Sequence, residues 1–174
     1  MIYTKEEPNI VARFYKVSFE EYKRFFADAD QDESKLKEEW ENIKIPRRST
    51  LGSAGYDFIL PRELMLGGMA PQTAVVATGI RVKIDPGWAL LLMPRSSYGM
   101  KYGMRLTNTI GLIDSDYFLA KNEGHIMAKI TSDDEMLIHA GDRFMQGIFV
   151  PIGFASNEPR PNAVRTGGFG STGE

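Results

Sequence analysis

The sequence predicts a mainly β protein, an antiparallel sandwich or barrel preceded by a short helical extension. From Pro46 onward, apolar residues alternate over short runs, as they do in half-buried strands. Proline and glycine separate these runs at short intervals, and no amphipathic segment of helix length lies between them. A doubly wound nucleotide-binding fold needs helices between its strands, so it is not expected here.

Residues 1–45 are expected to form a helical extension that packs on the β domain. Ser18 and Glu21 resemble a capping box at the start of the first helix. The second, charged segment carries apolar residues at helical spacing, namely Leu36, Trp40 and Ile43. The packing residues are expected to be Phe19, Tyr22, Phe26 and Trp40. An appendage that binds a partner protein is the alternative.

Residues 46–160 are expected to form the β domain, with strands at several alternating or apolar runs. Residues 79–85 place Ile80, Val82 and Ile84 on one face of a strand. The apolar run 88–92 is a second strand, and residues 106–117 read as a hairpin. Residues 125–130 place another three apolar side chains on one face, namely Ile126, Ala128 and Ile130.

Composition excludes several classes of function. The chain of 174 residues, 43% of them hydrophobic, can build one core, and it contains no cysteine for a disulfide, a thiolate metal site or a thiol nucleophile. A net charge of -2 provides no field for duplex nucleic acid, and two histidines make histidine chemistry improbable. No run reaches the ~20 apolar residues of a membrane helix, and no export signal is evident. A cytoplasmic protein with a small-molecule site is expected.

Two strings near predicted strand ends carry polar side chains. In AGYDF, residues 54–58, small residues precede Asp57, and a turn with a satisfied aspartate is the alternative reading. In PRSS, residues 94–97, Arg95 stands beside two hydroxyls where the apolar run ends. Guanidinium and hydroxyl donors suit a phosphate chain, although an ion pair and a serine turn would explain the same string.

Two further strings carry carboxylate, arginine and amide groups. Asp114 and Asp116 are two apart, so they would share a face if the strand continued, and either could hold an attacking water. A solvated turn is the alternative. Arg143 and Gln146 interrupt an apolar run, where the arginine suits either a triphosphate or a buried ion pair.

The C-terminal string GGFGSTG, residues 167–173, predicts a flexible arm that orders on a nucleotide. Phe169 offers a ring for stacking on a base, while backbone N–H groups, Ser171 and Thr172 could bind phosphate oxygens. The string satisfies G-x-G-x-x-G, but no helix can follow it, and the sequence has no Gly-Lys-Ser/Thr loop. Dinucleotide and Walker-type readings are therefore rejected.

Taken in order, five strings resemble the motifs of the trimeric deoxyuridine triphosphate nucleotidohydrolases, the dUTPases. They are AGYDF, PRSS, NTIGLIDSDY, GDRFMQ and RTGGFGSTG, and they span the chain from residue 46 to its end. The resemblance implies a jelly-roll-like β fold, a homotrimer with active sites shared between subunits, and hydrolysis of dUTP to dUMP and pyrophosphate. It also implies Mg²⁺ held mainly by the substrate triphosphate and water, with no protein ligand. Such an enzyme keeps uracil out of DNA and supplies dUMP.

The resemblance also implies a role for each matching residue. Asp114 would activate the water, Asn108 and strand backbone would read uracil, and Tyr117 would lie against the sugar and exclude ribonucleotides. The other expected pocket residues are Gly111, Leu112, Ile113 and Met127. The phosphate-binding residues would be Arg95, Ser96, Ser97 and Gln146. The arm of residues 161–174 would close over the site with Arg165, Phe169, Gly170, Ser171 and Thr172. Supporting positions would be Asp57, Asp116 and Arg143.

The chain departs from the family pattern in three places. The sequence FLAKNE, residues 118–123, lengthens the loop after Tyr117, and Met145 stands where a small residue is common. Arg165 lies closer to the glycine pair than in the commonest form. The N-terminal extension is additional to the family core, and it leaves room for a regulatory protein partner.

Two alternative functions are compatible with this fold. One is a dCTP deaminase-like enzyme, which would need a carboxylic acid aimed at the exocyclic amine of the base. The other is a dUTPase-like regulator that binds a protein in a nucleotide-dependent way. The intact string IDSDY, residues 113–117, argues against the deaminase, because the acids cluster there and are not aimed at the base. The intact Asp114 and Phe169 favour catalysis over a purely regulatory role.

Overall fold

A computed structural model describes residues 9–26 and 32–159 as antiparallel β-sheets with helices at the periphery. The strands are β1 Ala12–Lys16, β2 Tyr56–Ile59, β3 Leu64–Leu66, β4 Thr73–Ala77, β5 Ile80–Ile84, β6 Trp88–Pro94, β7 Arg105–Leu106, β8 Gly111–Ile113, β9 Met127–Thr131, β10 Met136–Ile138 and β11 Arg143–Pro151. The α-helices are α1 Phe19–Phe25, α2 Glu33–Asn42 and α3 Ser96–Tyr102, and a 3₁₀ helix spans Ser115–Leu119.

The strands pair in four hydrogen-bonded groups. The largest has the order β2-β11-β6-β8, a second has the order β4-β9-β7, and two strand pairs are β1-β5 and β10-β3. All of these pairings are antiparallel. The predicted mainly antiparallel β class is confirmed, although the strands among the described residues do not close into a barrel. None of the helices in this part of the chain is long and apolar enough to cross a membrane.

The core forms where apolar faces of several sheets meet. Ile80, Val82 and Ile84 of β5 are all buried, as their alternation predicts, and so are Ile126, Ala128 and Ile130 at β9. Phe58 on β2 and Phe144 on β11 are fully buried between the sheets. Hydrophobic burial at these positions supplies the main driving force for the fold.

The N-terminal extension contains a strand as well as the two expected helices. β1 pairs with β5 over Ala12↔Ile84 to Lys16↔Ile80. Of the helices, α1 buries Tyr22 and α2 buries Leu36, while the rings of Phe19 and Trp40 lie 5.9 Å apart. The strand was not predicted because its residues alternate only weakly between buried and exposed positions.

Only half of the predicted capping box forms at α1. The Ser18 hydroxyl accepts a hydrogen bond from the Glu21 N–H at 3.1 Å, as predicted. The backbone N–H of Ser18, however, donates to Oε2 of Glu123 at 2.9 Å. A carboxylate distant in sequence therefore takes the position that Glu21 holds in a complete box. The Glu21 carboxylate instead lies near a buried histidine, with Oε1 3.5 Å from Nδ1 of His125.

That buried histidine should make the stability of the protein depend on pH. Burial lowers the pKa of His125 to about 4, whereas the unfolded chain binds this proton near pH 6.5. The unfolded state therefore holds more protons between these values, so the free energy of unfolding should fall by up to about 3 kcal/mol as pH drops through this range. Burial raises the pKa of Glu21, which acts in the opposite direction and reduces the net loss.

Chemical denaturation at several pH values would measure this effect. We expect His125→Gln to flatten the dependence between pH 6.5 and 4, because the variant lacks the buried imidazole that takes up a proton only on unfolding in this range. The matched control is His139→Gln, at the exposed second histidine, which should keep the wild-type slope. Equal slopes for the wild type and His125→Gln would show that this histidine does not control acid stability.

Candidate active site

The principal pocket opens between β8 and β9 and has a volume of about 510 Å³. All six residues predicted for a nucleoside pocket line it: Asn108, Gly111, Leu112, Ile113, Tyr117 and Met127. Six further residues line the pocket and were not predicted to do so, namely Leu92, Leu106, Thr107, Ile110, Ala128 and Lys129. The alternation of β9 could have identified Lys129, since it lies on the same strand face as Met127.

The segment before β8 shapes the pocket in a way that differs from the predicted hairpin. β7 pairs with β9 and β8 pairs with β6, so the two strands belong to different sheets. Asn108 lies in the tight turn that joins them, next to Thr109 with a φ of 69°. The prediction of one hairpin over residues 106–117, with Asn108 in its first strand, is therefore wrong. The place of Asn108 in the turn presents its amide at the junction of two sheets.

Gly111 allows β8 to approach β6 closely. A Cβ atom at this position would lie 3.0 Å from Cβ of Leu92, its ladder partner on β6. This spacing is tighter than ordinary van der Waals contact. A side chain here would push β8 outward and change the width of the pocket.

Asp114 and Asp116 do not share the face of a strand, which corrects the sequence prediction. β8 ends at Ile113, Asp114 keeps an extended conformation, and the 3₁₀ helix begins at Ser115. With three residues per turn, successive side chains are rotated by about 120°, so residues two apart no longer share a face as they do in a strand. Asp114 is half-buried directly after the pocket strand, whereas Asp116 is exposed. Only Asp114 continues from the wall of the pocket.

A second depression, of about 350 Å³, lies where β6 ends and α3 begins. Of the four residues predicted to bind phosphate, Arg95 and Ser97 line it, whereas Ser96 and Gln146 do not. Arg143, predicted as a supporting residue, lines it as well. Its other lining residues are Tyr98, Lys101, Tyr102 and Asp142. We call this depression the basic cleft. The sequence analysis missed Lys101 because α3, at seven residues, is too short for a helical pattern to stand out.

Asp57 forms ion pairs with both arginines of the basic cleft. Its carboxylate is buried, with Oδ1 3.5 Å from Nε of Arg95 and Oδ2 3.3 Å from a terminal nitrogen of Arg143. The Ser49 hydroxyl donates to Oδ2 at 2.7 Å. A buried carboxylate between two arginines fixes the direction of both guanidinium groups. The cleft therefore presents oriented positive charge to an anion.

Tyr98 adds a neutral donor to the same cleft. Its hydroxyl donates to Oδ2 of Asp142 at 3.2 Å. Burial, together with the Asp142 carboxylate, raises the pKa of the Tyr98 hydroxyl above its ordinary value. The group stays protonated near neutral pH and adds no negative charge to the cleft.

Gln146 of β11 lies against Gly55, which directly precedes β2. β11 has an irregular register between Arg143 and Met145, so Phe144 and Met145 are both buried and Gln146 pairs with Asp57 of β2. A Cβ atom at Gly55 would lie 2.8 Å from Oε1 of Gln146. The missing side chain of Gly55 therefore leaves space for the amide of Gln146.

The pocket and the basic cleft share no lining residue. β6 connects them, since Leu92 lines the pocket and Arg95 follows the end of the same strand. The remaining candidates lie outside the described residues: Arg165, Phe169, Gly170, Ser171 and Thr172. Chemically, one surface can enclose a planar base and sugar, and the other can bind a polyanion.

Comparisons with known proteins agree with this combination of features. The model of the dUTPase family matches residues 41–173. A deoxyuridine 5'-triphosphate nucleotidohydrolase from Lactococcus lactis is 39% identical over 136 residues, covering 75% of this chain and 89% of its own. The crystal structure of dUTPase from Streptococcus mutans superposes with a TM-score of 0.59 at 35% identity, covering 67% of this chain and 91% of that one.

A more distant structure shares the fold. A mutant of the dUTPase from phage phi11 of S. aureus, solved to show the coordination of a structural Mg(II) ion, has a TM-score of 0.54 at 24% identity. The match covers 68% of this chain and 90% of the phage protein.

Proposed function

Because the chain belongs to the dUTPase family, we propose that it hydrolyses dUTP to dUMP and pyrophosphate. The observation that carries this proposal is the pocket between β8 and β9, into which the third motif brings Asn108, Gly111 and Tyr117 together. The pocket suits a nucleoside because apolar walls from both sheets surround a few polar groups. The basic cleft at the end of β6 suits the triphosphate.

Nucleoside selection follows from the shape of the pocket. Asn108 and the backbone of the following turn would pair with the edge of uracil, and cytosine presents the opposite donor and acceptor pattern there. A mismatch would leave buried polar groups unpaired, which disfavours the wrong base. The close approach of Gly111 to Leu92 supports a narrow pocket without room for the methyl group of thymine.

Asp114 is the proposed general base. It lies directly after the wall of the pocket, where its carboxylate can hold a water molecule beside the α-phosphate. The water oxygen forms a bond to the α-phosphorus, and its proton passes to Asp114. The bond from the α-phosphorus to the bridging oxygen breaks, and pyrophosphate leaves.

The basic cleft would stabilise the charge that develops on the phosphates. Within the cleft, Arg95 supplies a fixed fork of donors and Ser97 supplies a hydroxyl. Ser96 and Gln146, which do not line the cleft, are proposed to add a hydroxyl and an amide to the phosphate chain. Asp57 holds Arg95 and Arg143 in place, so the cations are preorganised before the substrate binds. Lys101, which the sequence analysis did not select, adds charge at the rim.

We further propose a homotrimer whose active sites are shared between subunits. The separation of the pocket from the basic cleft within one chain supports this arrangement, because a neighbouring subunit could bring its cleft to the pocket. Arg165 and Phe169 would reach the site on the C-terminal arm and exclude water. Asp116 would support Asp114 from outside the pocket.

Magnesium would arrive with the substrate. No cluster of three acidic or histidine side chains that could hold a metal occurs in the described ranges 9–26 and 32–159. We propose that triphosphate oxygens and water hold the ion, which is the usual arrangement for Mg²⁺ at nucleotides. When bound, it neutralises phosphate charge. In the cytoplasm such an enzyme would keep uracil out of DNA and supply dUMP.

A substrate panel tests the activity. Pyrophosphate release would be measured with magnesium from dUTP, dCTP, dTTP and UTP, and the products would be identified by chromatography. Selective conversion of dUTP to dUMP is the expected result. Ammonia release from dCTP would identify a deaminase, and nucleotide binding without turnover would identify a regulator.

Subunit mixing tests the shared site. Asp114→Asn and Arg95→Ala subunits should each be inactive as homotrimers, whereas co-refolded mixtures should recover part of the activity. Recovery requires that one site takes Asp114 and Arg95 from different chains. The formation of hybrid trimers would be verified by mass. If these hybrids are as inactive as the two parent proteins, Asp114 and Arg95 of each site belong to one chain.

Gly55→Ala should impair phosphate binding without unfolding the protein. The new methyl group displaces the amide of Gln146, so we expect kcat/KM for dUTP to fall roughly tenfold, the value of one hydrogen bond to a charged group. Gly153→Ala is the matched control, because a Cβ atom there meets nothing within 4 Å. Steady-state kinetics and thermal denaturation would separate the two effects. A normal kcat/KM in Gly55→Ala would remove Gln146 from the phosphate site.

A further inference from the structure

The loop after the 3₁₀ helix folds back onto Tyr117. The ring of Tyr117 lines the nucleoside pocket, yet the residue is only 4% exposed. Its hydroxyl donates to the carbonyl oxygen of His125 at 2.8 Å and accepts from Nδ2 of Asn122 at 2.8 Å. Asn122 belongs to residues 118–123, the segment that lengthens this loop, and His125 lies two residues after that segment. The far end of the ring is thereby held by two hydrogen bonds in a buried environment.

We propose that Asn122 is a positioning residue that sets the angle of the Tyr117 ring in the nucleoside pocket and so determines discrimination against the ribose 2′-hydroxyl. The inference rests on the proposed function, because it takes Tyr117 as the residue against the sugar. Asn122 acts through Tyr117 and does not line the pocket. A ring held at both its Cβ and its hydroxyl cannot tilt to admit an extra oxygen atom.

The turn that carries Asn122 is tightly closed on the backbone of Tyr117. Oδ1 of Asn122 accepts from the Gly124 N–H at 3.3 Å. Gly124 has a φ of 71°, and a Cβ atom there would lie 2.6 Å from the carbonyl oxygen of Tyr117. Only glycine allows this approach without strain. The geometry of the turn therefore fixes the distance from Asn122 to Tyr117.

Glu123 anchors the same turn to the N-terminal extension. Its backbone φ of 57° is unfavourable for most residues other than glycine and asparagine. Its carboxylate accepts from the N–H of Ser18 at 2.9 Å and from the hydroxyl of Ser18 at 2.5 Å. Burial raises the pKa of Glu123, but these hydrogen bonds and the nearby Arg81 outweigh it and lower the pKa overall. The charged form holds the turn in its strained conformation.

Arg81 of β5 fixes the first part of the loop. A terminal nitrogen of Arg81 donates to the carbonyl oxygen of Phe118 at 2.8 Å, and its guanidinium lies 3.7 Å from the centre of the Phe118 ring. The other terminal nitrogen lies 3.5 Å from Oε2 of Glu123. The lengthened loop is therefore attached at both ends, and Asn122 lies between the attachments.

Kinetics with dUTP and UTP test the proposal. In Asn122→Ala we expect KM for dUTP to rise about fivefold with kcat changed less than about twofold, and the ratio of kcat/KM between dUTP and UTP to fall at least fivefold. Tyr117→Phe removes this hydrogen bond and also the one to the carbonyl oxygen of His125, so it should give at least the same loss. Adding Asn122→Ala to Tyr117→Phe should cause little further change, because the two residues act through one contact.

The control is Asn42→Ala, an exposed asparagine at the end of α2, which should retain wild-type selectivity. A lower melting temperature in Asn122→Ala with an unchanged ratio between dUTP and UTP would overturn the proposal, because it would reduce Asn122 to a structural role. Additive losses in the double variant would also overturn it. A wild-type protein that does not cleave dUTP would contradict the proposed function instead, so the two failures are distinguishable.

Discussion

Replacing Asp114 by asparagine should lower the turnover of dUTP at least ~100-fold while leaving nucleotide binding nearly unchanged. Asparagine has the same shape as aspartate but cannot accept the proton of the attacking water. The residue lies in extended backbone between β8 and the 3₁₀ helix, so the substitution should not disturb either element. Single-turnover rates would report the chemical step, and calorimetric titration with a non-hydrolysable dUTP analogue would report binding.

Two further variants make this result specific. Asp116→Asn should lose far less activity, because Asp116 is exposed on the 3₁₀ helix and does not continue the wall of the pocket. Asp85→Asn, at an exposed position after β5, should behave as the wild type. Normal turnover in Asp114→Asn would rule out its role as general base, and a loss of nucleotide binding would indicate a structural contribution.

Deleting residues 165–174 should also reduce kcat/KM for dUTP at least ~100-fold while sparing the fold. Closure of the arm would exclude water and stack a ring on the base, and stacking alone contributes about 1–3 kcal/mol. The last described strand, β11, ends at Pro151, so the deletion leaves every described strand complete. The circular dichroism spectrum and the oligomeric state in solution should therefore match those of the full chain.

Phe169→Ala separates the aromatic ring from the rest of the arm. We expect this variant to lose roughly tenfold or more in kcat/KM, as the loss of one stacked ring predicts. Phe154→Ala is the matched control, since Phe154 is 73% exposed in the segment after β11. If the deletion converts trimers to monomers or unfolds the protein, the arm has a structural function and closure is not its main role.

Local periodicity was sufficient to predict the strands that carry the core. The alternation of Ile80, Val82 and Ile84 identified β5, because alternate residues of that strand are buried. The apolar run at 88–92 identified β6, in which neighbouring residues are buried. The resemblance to the family motifs implied six pocket residues, and all six line one pocket at β8 and β9, while their roles stay predictions. These features depend on residues that are close in sequence.

The features that were missed depend on long-range contacts or unusual backbone angles. The turn at Asn108 includes Thr109 with a positive φ, a conformation that its sequence does not favour. The 3₁₀ helix after Asp114 has too few residues for a helical pattern. The capping of Ser18 by Glu123 joins groups 105 positions apart, and no local rule identifies such a pair.

Because β1 pairs with β5, the folded unit extends beyond the part of the chain that matches the family. The match to the family begins at residue 41, but β5 has its only hydrogen-bonded neighbour among the described strands in β1, at residues 12–16. A shortened chain that began at the family boundary would expose the unpaired N–H and C=O groups of β5 beside its apolar face. Such an open edge can recruit strands from other molecules, so the N-terminal segment protects this protein against aggregation.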